Sequence, residues 1–186
     1  MKAFSLTIPV VVIIELKVFG DERGFFYETY NRRQFEEAIG RKVIVVQDNH
    51  SRSVKNVLRG LHYQIQYPQG KLVGVVQGGV LDVAVDIRRS SPTFRNHVAI
   101  ELSAENKRML WIPEGFAHGF IVLSDSADLL YKTTDYWYPE YERCIRWDDP
   151  ELALDWEEET LRYQPRMLPA TCLLKPNSSI EILAVQ

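Results

Sequence analysis

An all-β sandwich or barrel with one short helix is the fold class the sequence predicts, and three observations carry it. From Lys42 onward, short β-branched and aromatic runs follow one another. Turn-formers separate them: Gly78-Gly79, Ser90-Ser91-Pro92, Ser103 to Asn106, Pro113 to Gly115 and Ser124 to Ser126. Helical signals with caps at both ends occur once, between Asn31 and Gly40. Many short strands at such spacing, with a single convincing helix, belong to sandwiches and barrels rather than to α/β proteins.

In chain order, Val10 to Leu16 is short and β-branched and reads as a strand. Val18 to Gly24 reads as a loop with Gly20-Asp21 as its turn, and Phe25 to Tyr30 as an aromatic-rich strand. Asn31 is placed to accept from the first helical turn, and Gly40 to stop the helix after Ile39. Strands then follow at Val43–Val46, Val57–Gln64, Leu72–Gln77, Val80–Ile87, Val98–Leu102, Met109–Ile112, Phe116–Leu123 and Leu129–Thr133. The tail from Glu157 changes character, with three consecutive acids, three prolines and no clear periodicity.

At 186 residues, with 46% apolar and 25% charged side chains, the chain has the make-up of one globular domain. A net charge of −3 gives no general pull toward nucleic acid or membrane, so a basic cluster has to be a local site. The apolar run Ile8 to Ile14 is too short to span a bilayer and meets Glu15 and Lys17 at once. Cys144 and Cys172 lack metal-type spacing, which predicts free thiols and a cytoplasmic location.

The stretch Leu58 to Lys71, LRGLHYQIQYPQGK, concentrates groups for which a core has no use. Arg59, His62 and Lys71 bring a titratable imidazole beside two cations, an arrangement suited to abstracting a proton from an anionic substrate. An exposed Arg and Lys flanking a structural His is the plainer alternative. Arg59 and His62 differ by an odd number, so a regular strand sends them to opposite faces; a bulge at Gly60 would bring both to one side. Along Val80 to Arg88, Asp82, Ala84 and Asp86 share one face, which either lines a polar interior or meets solvent. Tyr131 lies on a strand, as a core tyrosine or as an acid. The Gln69-Gly70-Lys71 triplet lacks the rest of a P-loop.

Pro113-x-Gly115-x-x-His118 resembles the second motif of the cupin jelly rolls, in which the His ligates a metal. The first motif's H-x-H matches only His62 and Gln64 here, with the cation Lys71 close behind, so the barrel looks like a cupin without its metal. Taken together, VFGDERGFFYETYN (Val18–Asn31), VQDNHSRS (Val46–Ser53), VLRGLHYQ (Val57–Gln64), QGKLV (Gln69–Val73), LDVAVDIRRSSPTF (Leu81–Phe94), LSAENKRMLWIPEGFAHGF (Leu102–Phe120), YKTTDYW (Tyr131–Trp137) and IRWDDPELALDW (Ile145–Trp156) closely resemble the dTDP-4-dehydrorhamnose 3,5-epimerases. That resemblance implies a cupin-type jelly roll, without metal or cofactor, acting as a homodimer on a dTDP-4-keto-6-deoxyhexose. It implies His62 as base, Tyr131 as acid and Lys71 as the cation for the enolate oxygen. Phe19, Arg23, Phe26, Glu28, Gln47, Asp48, Asn49, Arg59, His118, Tyr136 and Glu142 would hold the nucleotide-sugar. The loop bearing Phe19, Arg23, Phe26 and Glu28 would enter the partner subunit's site.

One family feature is missing. The Leu-Ser-x-Lys-Asp stretch that follows the Asp-Trp in relatives, whose Asp orients the catalytic His, has no counterpart: Lys175 is the only later lysine and no aspartate follows Asp155. Asp82 or Asp86 would be the substitute if either points inward. The rival readings are a single-site epimerase or keto-isomerase, an impaired nucleotide-sugar binder, and a metal-dependent cupin oxygenase.

Overall fold

The computed structural model describes residues 1–156, and within them two antiparallel sheets face each other. The first has six strands in the order β1 (Lys2–Ser5), β2 (Val12–Glu15), β10 (Arg108–Ile112), β7 (Lys71–Gln77), β12 (Ser126–Thr133) and β5 (Gln47–Val54). The second has five: β13 (Glu142–Cys144), β6 (Leu58–Gln64), β11 (Phe116–Val122), β8 (Gly79–Asp86) and β9 (His97–Ser103). A small hairpin, β3 (Phe19–Asp21) and β4 (Gly24–Phe26), stands apart from both. Consecutive strands such as β7 and β8 lie in different sheets, the mark of a jelly roll, and the all-β expectation holds.

Alternation along the strands makes three apolar layers. Val73, Val75, Leu110, Leu129, Val80, Ala84, Phe116 and Phe120 fill the space between the sheets. Residues of opposite parity on the five-stranded sheet, Leu61, Tyr63, Val83, Val85 and Ile121, are covered by Ile145, Leu152 and Trp156. The outer face of the six-stranded sheet, Val12, Ile14, Leu72 and Met109, is covered by helix α1 (Arg32–Ile39). The helix has the predicted ends: Asn31 Oδ1 accepts from Gln34 N at 3.2 Å, and Gly40 takes φ 71°. Its single fully buried side chain, Phe35, meets Trp111 edge-on with ring centroids 5.2 Å apart.

Four sequence expectations need correction. The turn of the first hairpin is not Gly20-Asp21: Phe19 to Asp21 is a strand, and the chain reverses one step later. There Asp21 Oδ1 accepts from Arg23 N at 2.9 Å and Gly24 adopts φ 134°, an Asx-type turn closed by a glycine. Val43–Val46 is not a strand, and β5 begins only at Gln47. The strand expected over Phe25 to Tyr30 stops at Phe26, as the second arm of the hairpin. Cys144 is not a free thiol; it is disulfide-bonded, half-buried on an edge strand, and Cys172 lies outside the described residues. Among the described residues no helix is long and apolar enough to cross a membrane.

Candidate active site

The bulge at Gly60 organises the site. In the pairing of β6 with β11, His62 stands opposite His118 and Arg59 opposite Phe120, so three steps on one strand match two on the other. That extra residue cancels the odd spacing and brings Arg59 and His62 to the interior, as the sequence predicted. Gly60, at φ 139°, runs against the backbone of Gly119 with no room for a Cβ on either residue.

From there, ladder register builds a row across the five-stranded sheet. Glu142 on β13 pairs with Gln64, and Cys144 with His62, so Glu142 is the diagonal neighbour of His62. Its Oε1 lies 3.3 Å from His62 Nδ1. On the other side, His118 pairs with Ala84 of β8 and is the diagonal neighbour of Asp82. Both oxygens of Asp82 lie 3.0 Å from His118 Nε2, with Asp82 fully buried. Carboxylate, imidazole, imidazole and carboxylate thus stand in line on four neighbouring strands, β13, β6, β11 and β8. Of the two candidate substitutes for the family's aspartate, Asp82 is engaged by His118. Asp86 is engaged by Arg88 and by the hydroxyls of Ser91 and Thr93, at 2.6–2.9 Å. Among the described residues, the carboxylate of Glu142 lies against His62, 3.3 Å from its Nδ1.

The facing sheet supplies a cation and a phenol. Lys71 and Tyr131 have the inward parity of Val73, Val75 and Leu129, and Lys71 is buried. Burial, together with the positive charges of Lys71, His118 and Arg59, pushes His62 down to about 4, so its imidazole is neutral at pH 7. Burial also lowers Lys71, to about 8, against the opposing pull of Glu142 and Asp82, which leaves it mostly protonated at that pH. Burial and Glu142 raise Tyr131, opposed by Arg59, and keep the phenol protonated. The groups sit within one another's electrostatic reach in a low-dielectric interior.

Strand β5 lines the rim. Gln47, Asn49 and Ser53 face inward: Asn49 stands opposite Tyr131, Ser53 Oγ accepts from Arg59 Nε at 2.8 Å, and Gln47 Oε1 accepts from Trp137 N at 3.1 Å. Asp48 has the opposite parity; it ion-pairs with Lys132 at 2.6 Å on the outer face of the sheet and does not join the site. Tyr136 is exposed at the rim, its carbonyl accepting from Gln64 Nε2 at 3.2 Å. Gln64 also donates to Tyr67 O at 2.7 Å and accepts from Tyr138 N, so its amide fixes the loop instead of facing the cluster.

The structure does not bring Phe19, Arg23, Phe26 or Glu28 to this cluster. Phe19 and Phe26 are 53% and 67% exposed on the projecting hairpin, Arg23 pairs with Asp21, and Glu28 accepts from Gln34 at the helix start. Sequence reasoning missed Ser53, which extending the inward parity of Gln47 and Asn49 along the strand would have found. The expected absence of a Leu-Ser-x-Lys-Asp stretch falls outside the described residues.

Two sheets closed over a half-buried, neutral imidazole, a buried lysine and a tyrosine define a jelly-roll protein with acid–base groups in its interior. The comparisons with known proteins specify which. The profile of the dTDP-4-dehydrorhamnose 3,5-epimerases matches residues 5–170, and the chain belongs to that family. It is 65% identical over 156 residues to dTDP-4-dehydrorhamnose 3,5-epimerase of Pseudomonas aeruginosa, covering 84% of this chain and 86% of the relative. The crystal structure of a Legionella pneumophila dTDP-6-deoxy-D-glucose-3,5-epimerase in complex with dTDP-4-keto-L-rhamnose superposes with a TM-score of 0.86. It is 55% identical and covers 89% of this chain and 88% of its own. A 3'-monoepimerase from Streptomyces bikiniensis in complex with dTDP-quinovose shares the fold at 30% identity and a TM-score of 0.80, over 88% of this chain and 82% of its own.

Proposed function

We infer that this protein is an isomerase that inverts carbons 3 and 5 of a dTDP-linked 4-keto-6-deoxyhexose, the step that yields dTDP-4-dehydro-L-rhamnose for dTDP-rhamnose synthesis. The observation that carries the reading is the pairing of a neutral His62 with a protonated Lys71 in one buried interior. A hydrogen on either carbon next to the 4-keto group is acidic only as the carbonyl becomes an enolate. His62 takes that proton, the C–H electron pair becomes the carbon–carbon double bond, and the carbonyl pair moves to oxygen. The Lys71 ammonium faces the new oxyanion where little water competes. Tyr131, on the sheet opposite His62, returns a proton to the other ring face, and the carbon is inverted. Repetition at the second carbon completes the double epimerisation.

Arg59 is suited to bidentate diphosphate contact, and Gln47, Asn49, His118, Tyr136 and Glu142 surround the sugar's path. The exposed hairpin with Phe19, Arg23 and Phe26, followed by Glu28, fits an arm that completes the site of a second subunit in a homodimer. Its aromatic rings have too little of their own chain to rest on.

The test is proton NMR of dTDP-4-keto-6-deoxyglucose with the protein in deuterated water. Deuterium entering at carbons 3 and 5, abolished by His62→Asn, is the expected result. Exchange at one carbon only would establish a single-site epimerase. Binding without exchange would establish a nucleotide-sugar binder and overturn the proposed activity.

A further inference from the structure

Lys71 is buried, and among the described residues Glu142 and Asp82 act on its ammonium through their charge, without a hydrogen bond. A head group gripped by no side chain is aimed by its backbone, so whatever fixes the start of β7 decides where the charge sits. That backbone is clamped on the outer face of the sheet, behind the lysine. Gly70 stands opposite Thr134, one step beyond the rung of Lys71 with Thr133. Thr134 N donates to Gly70 O at 3.0 Å; the return bond, which a regular rung would make to Thr134 O, goes instead to Thr134 Oγ1 at 2.8 Å. The hydroxyl donates to Glu114 Oε1 at 2.9 Å, and Arg41 Nη2 donates to Glu114 Oε2 at 2.5 Å. We propose that Thr134, oriented by Glu114, is a positioning residue for Lys71: it pins the backbone ahead of the lysine and so sets the depth and direction at which the ammonium enters the interior. The proposal rests on the role given to Lys71 in the epimerase reading above.

Three features support it. The Thr134 hydroxyl accepts from a backbone N–H and donates to a carboxylate, so its rotamer is set from both sides. Gly70 is boxed in: a Cβ there would meet Trp111 Cη2 at 2.6 Å, Glu114 Oε1 at 2.9 Å and Thr134 Cγ2 at 3.1 Å, which leaves the backbone no slack toward that face. Gln69 Nε2 also donates to Asp135 O at 2.9 Å, so two successive residues ahead of Lys71 are tied to the segment that leaves β12. The Arg41–Glu114 pair is partly exposed, so its part is to hold the carboxylate on the hydroxyl rather than to stabilise through the ion pair itself. Positions 70 and 134 have the outward parity, opposite to Lys71 and Tyr131, and the clamp stands behind the sheet, away from the sugar's path. A simple end cap for the sheet is the plainer role for such a cluster, and the two roles differ in what they do to the lysine.

The titratable groups that share the interior with Lys71 are Tyr131 on β12, Arg59 and His62 on β6, His118 on β11, Asp82 on β8 and Glu142 on β13. Substitutions in the clamp leave all of them in place, so a shifted titration of Lys71 reports a change in its own burial. Lysine-selective 13C labelling of the whole, ligand-free protein, with Lys71→Arg to assign the signal, follows that titration by NMR. Wild-type Lys71 is expected to titrate at about 8, and Thr134→Val, which removes the hydroxyl and keeps the shape, should move it up toward the ordinary lysine value of 10.5. In turnover, Thr134→Val should lower kcat about 10- to 100-fold with KM within a factor of about 2. Thr134→Ser, which restores the hydroxyl, should recover most of both effects. Glu114→Leu should act in the same direction, and it decides the matter if Thr134→Val does not fold. A folded variant with the wild-type Lys71 titration, whatever its melting temperature or rate, would overturn the proposal and leave the cluster a cap on the sheet. If the wild-type protein exchanged no substrate proton, the epimerase reading would fail while the lysine titration still decided this one.

Discussion

Replacing Gly60 by alanine tests how the bulge links fold to chemistry. A Cβ at position 60 would run into Gly119 Cα and approach His118 O at 3.1 Å and Gly119 N at 3.3 Å. These are backbone atoms of the neighbouring strand, which cannot swing aside as a side-chain tip can. The φ of 139° is open to glycine and costs an alanine about 1–3 kcal/mol. Forcing the strands apart adds about 1–3 kcal/mol more. The sum, about 2–6 kcal/mol, is a large part of a typical domain's stability of about 5–15 kcal/mol. At about 2–4 °C per kcal/mol for a chain of this size, the melting temperature should drop by roughly 4–24 °C. If the strand relaxes by losing its bulge, Arg59 and His62 return to opposite faces, and deuterium uptake should fall further than the loss of folded protein explains. Scanning calorimetry together with the NMR exchange assay at a temperature where the variant is folded reads both effects. An alanine variant with wild-type melting temperature and wild-type exchange would refute the reasoning.

Three further predictions follow from the same geometry. In the proposed role Lys71 must be protonated to hold the enolate, and its pKa is lowered to about 8, so kcat/KM should be level near neutrality and fall as pH rises through about 8; a rate unchanged to pH 10 would remove Lys71 from the role. Asp48→Ala should leave KM and kcat within a factor of about 2, since the side chain faces away from the site and an exposed ion pair with Lys132 contributes about 0–1 kcal/mol; a strongly raised KM in steady-state kinetics would place it at the ligand after all. Asp86, lowered to about 2 because the bonds from Arg88, Ser91 and Thr93 outweigh its burial, contributes stability that is present above the ordinary carboxylate range and is lost as pH falls through about 2. Asp86→Ala should therefore cost about 3–5 kcal/mol in urea unfolding at pH 7 and flatten the acid limb of the stability curve, and a loss under 1 kcal/mol would refute the network's role.

The sequence was most readable where one physical signal dominated. Helix α1 carries Asn31 and Gly40 at its two ends, and both caps form as expected. Strands with a buried face, such as β8 and β11, announced themselves through apolar content. Even the irregularity at Gly60 was visible, because an odd spacing between two residues that serve one purpose requires it. Strand β5 escaped because QDNHSRS is polar on both faces: one faces the site, and the other carries ion pairs to Lys132 and Asp128. The partners of the two histidines were beyond reach for a different reason. Asp82 and Glu142 lie 36 and 80 residues from the imidazoles they contact, and only ladder register brings them together. Parity put Asp82 and Asp86 on one face, but it could not say whether that face turns inward or which histidine would claim Asp82.

The two-sided strand β5 has a consequence for inheritance. Its odd-numbered positions, 47, 49, 51 and 53, look into the interior between the sheets, and its even-numbered ones, 48, 50 and 52, look away. Replacing one residue alters one side and leaves the other as it was, so ligand preference and outer-surface character can drift independently. Deleting or adding one residue between Gly40 and Gln47 does something else, unless the loop absorbs it: it exchanges the two sets at a stroke, turning Asp48 and Arg52 toward the interior and Gln47 and Asn49 away. Lineages of this strand should therefore vary freely in spelling while staying rigid in length.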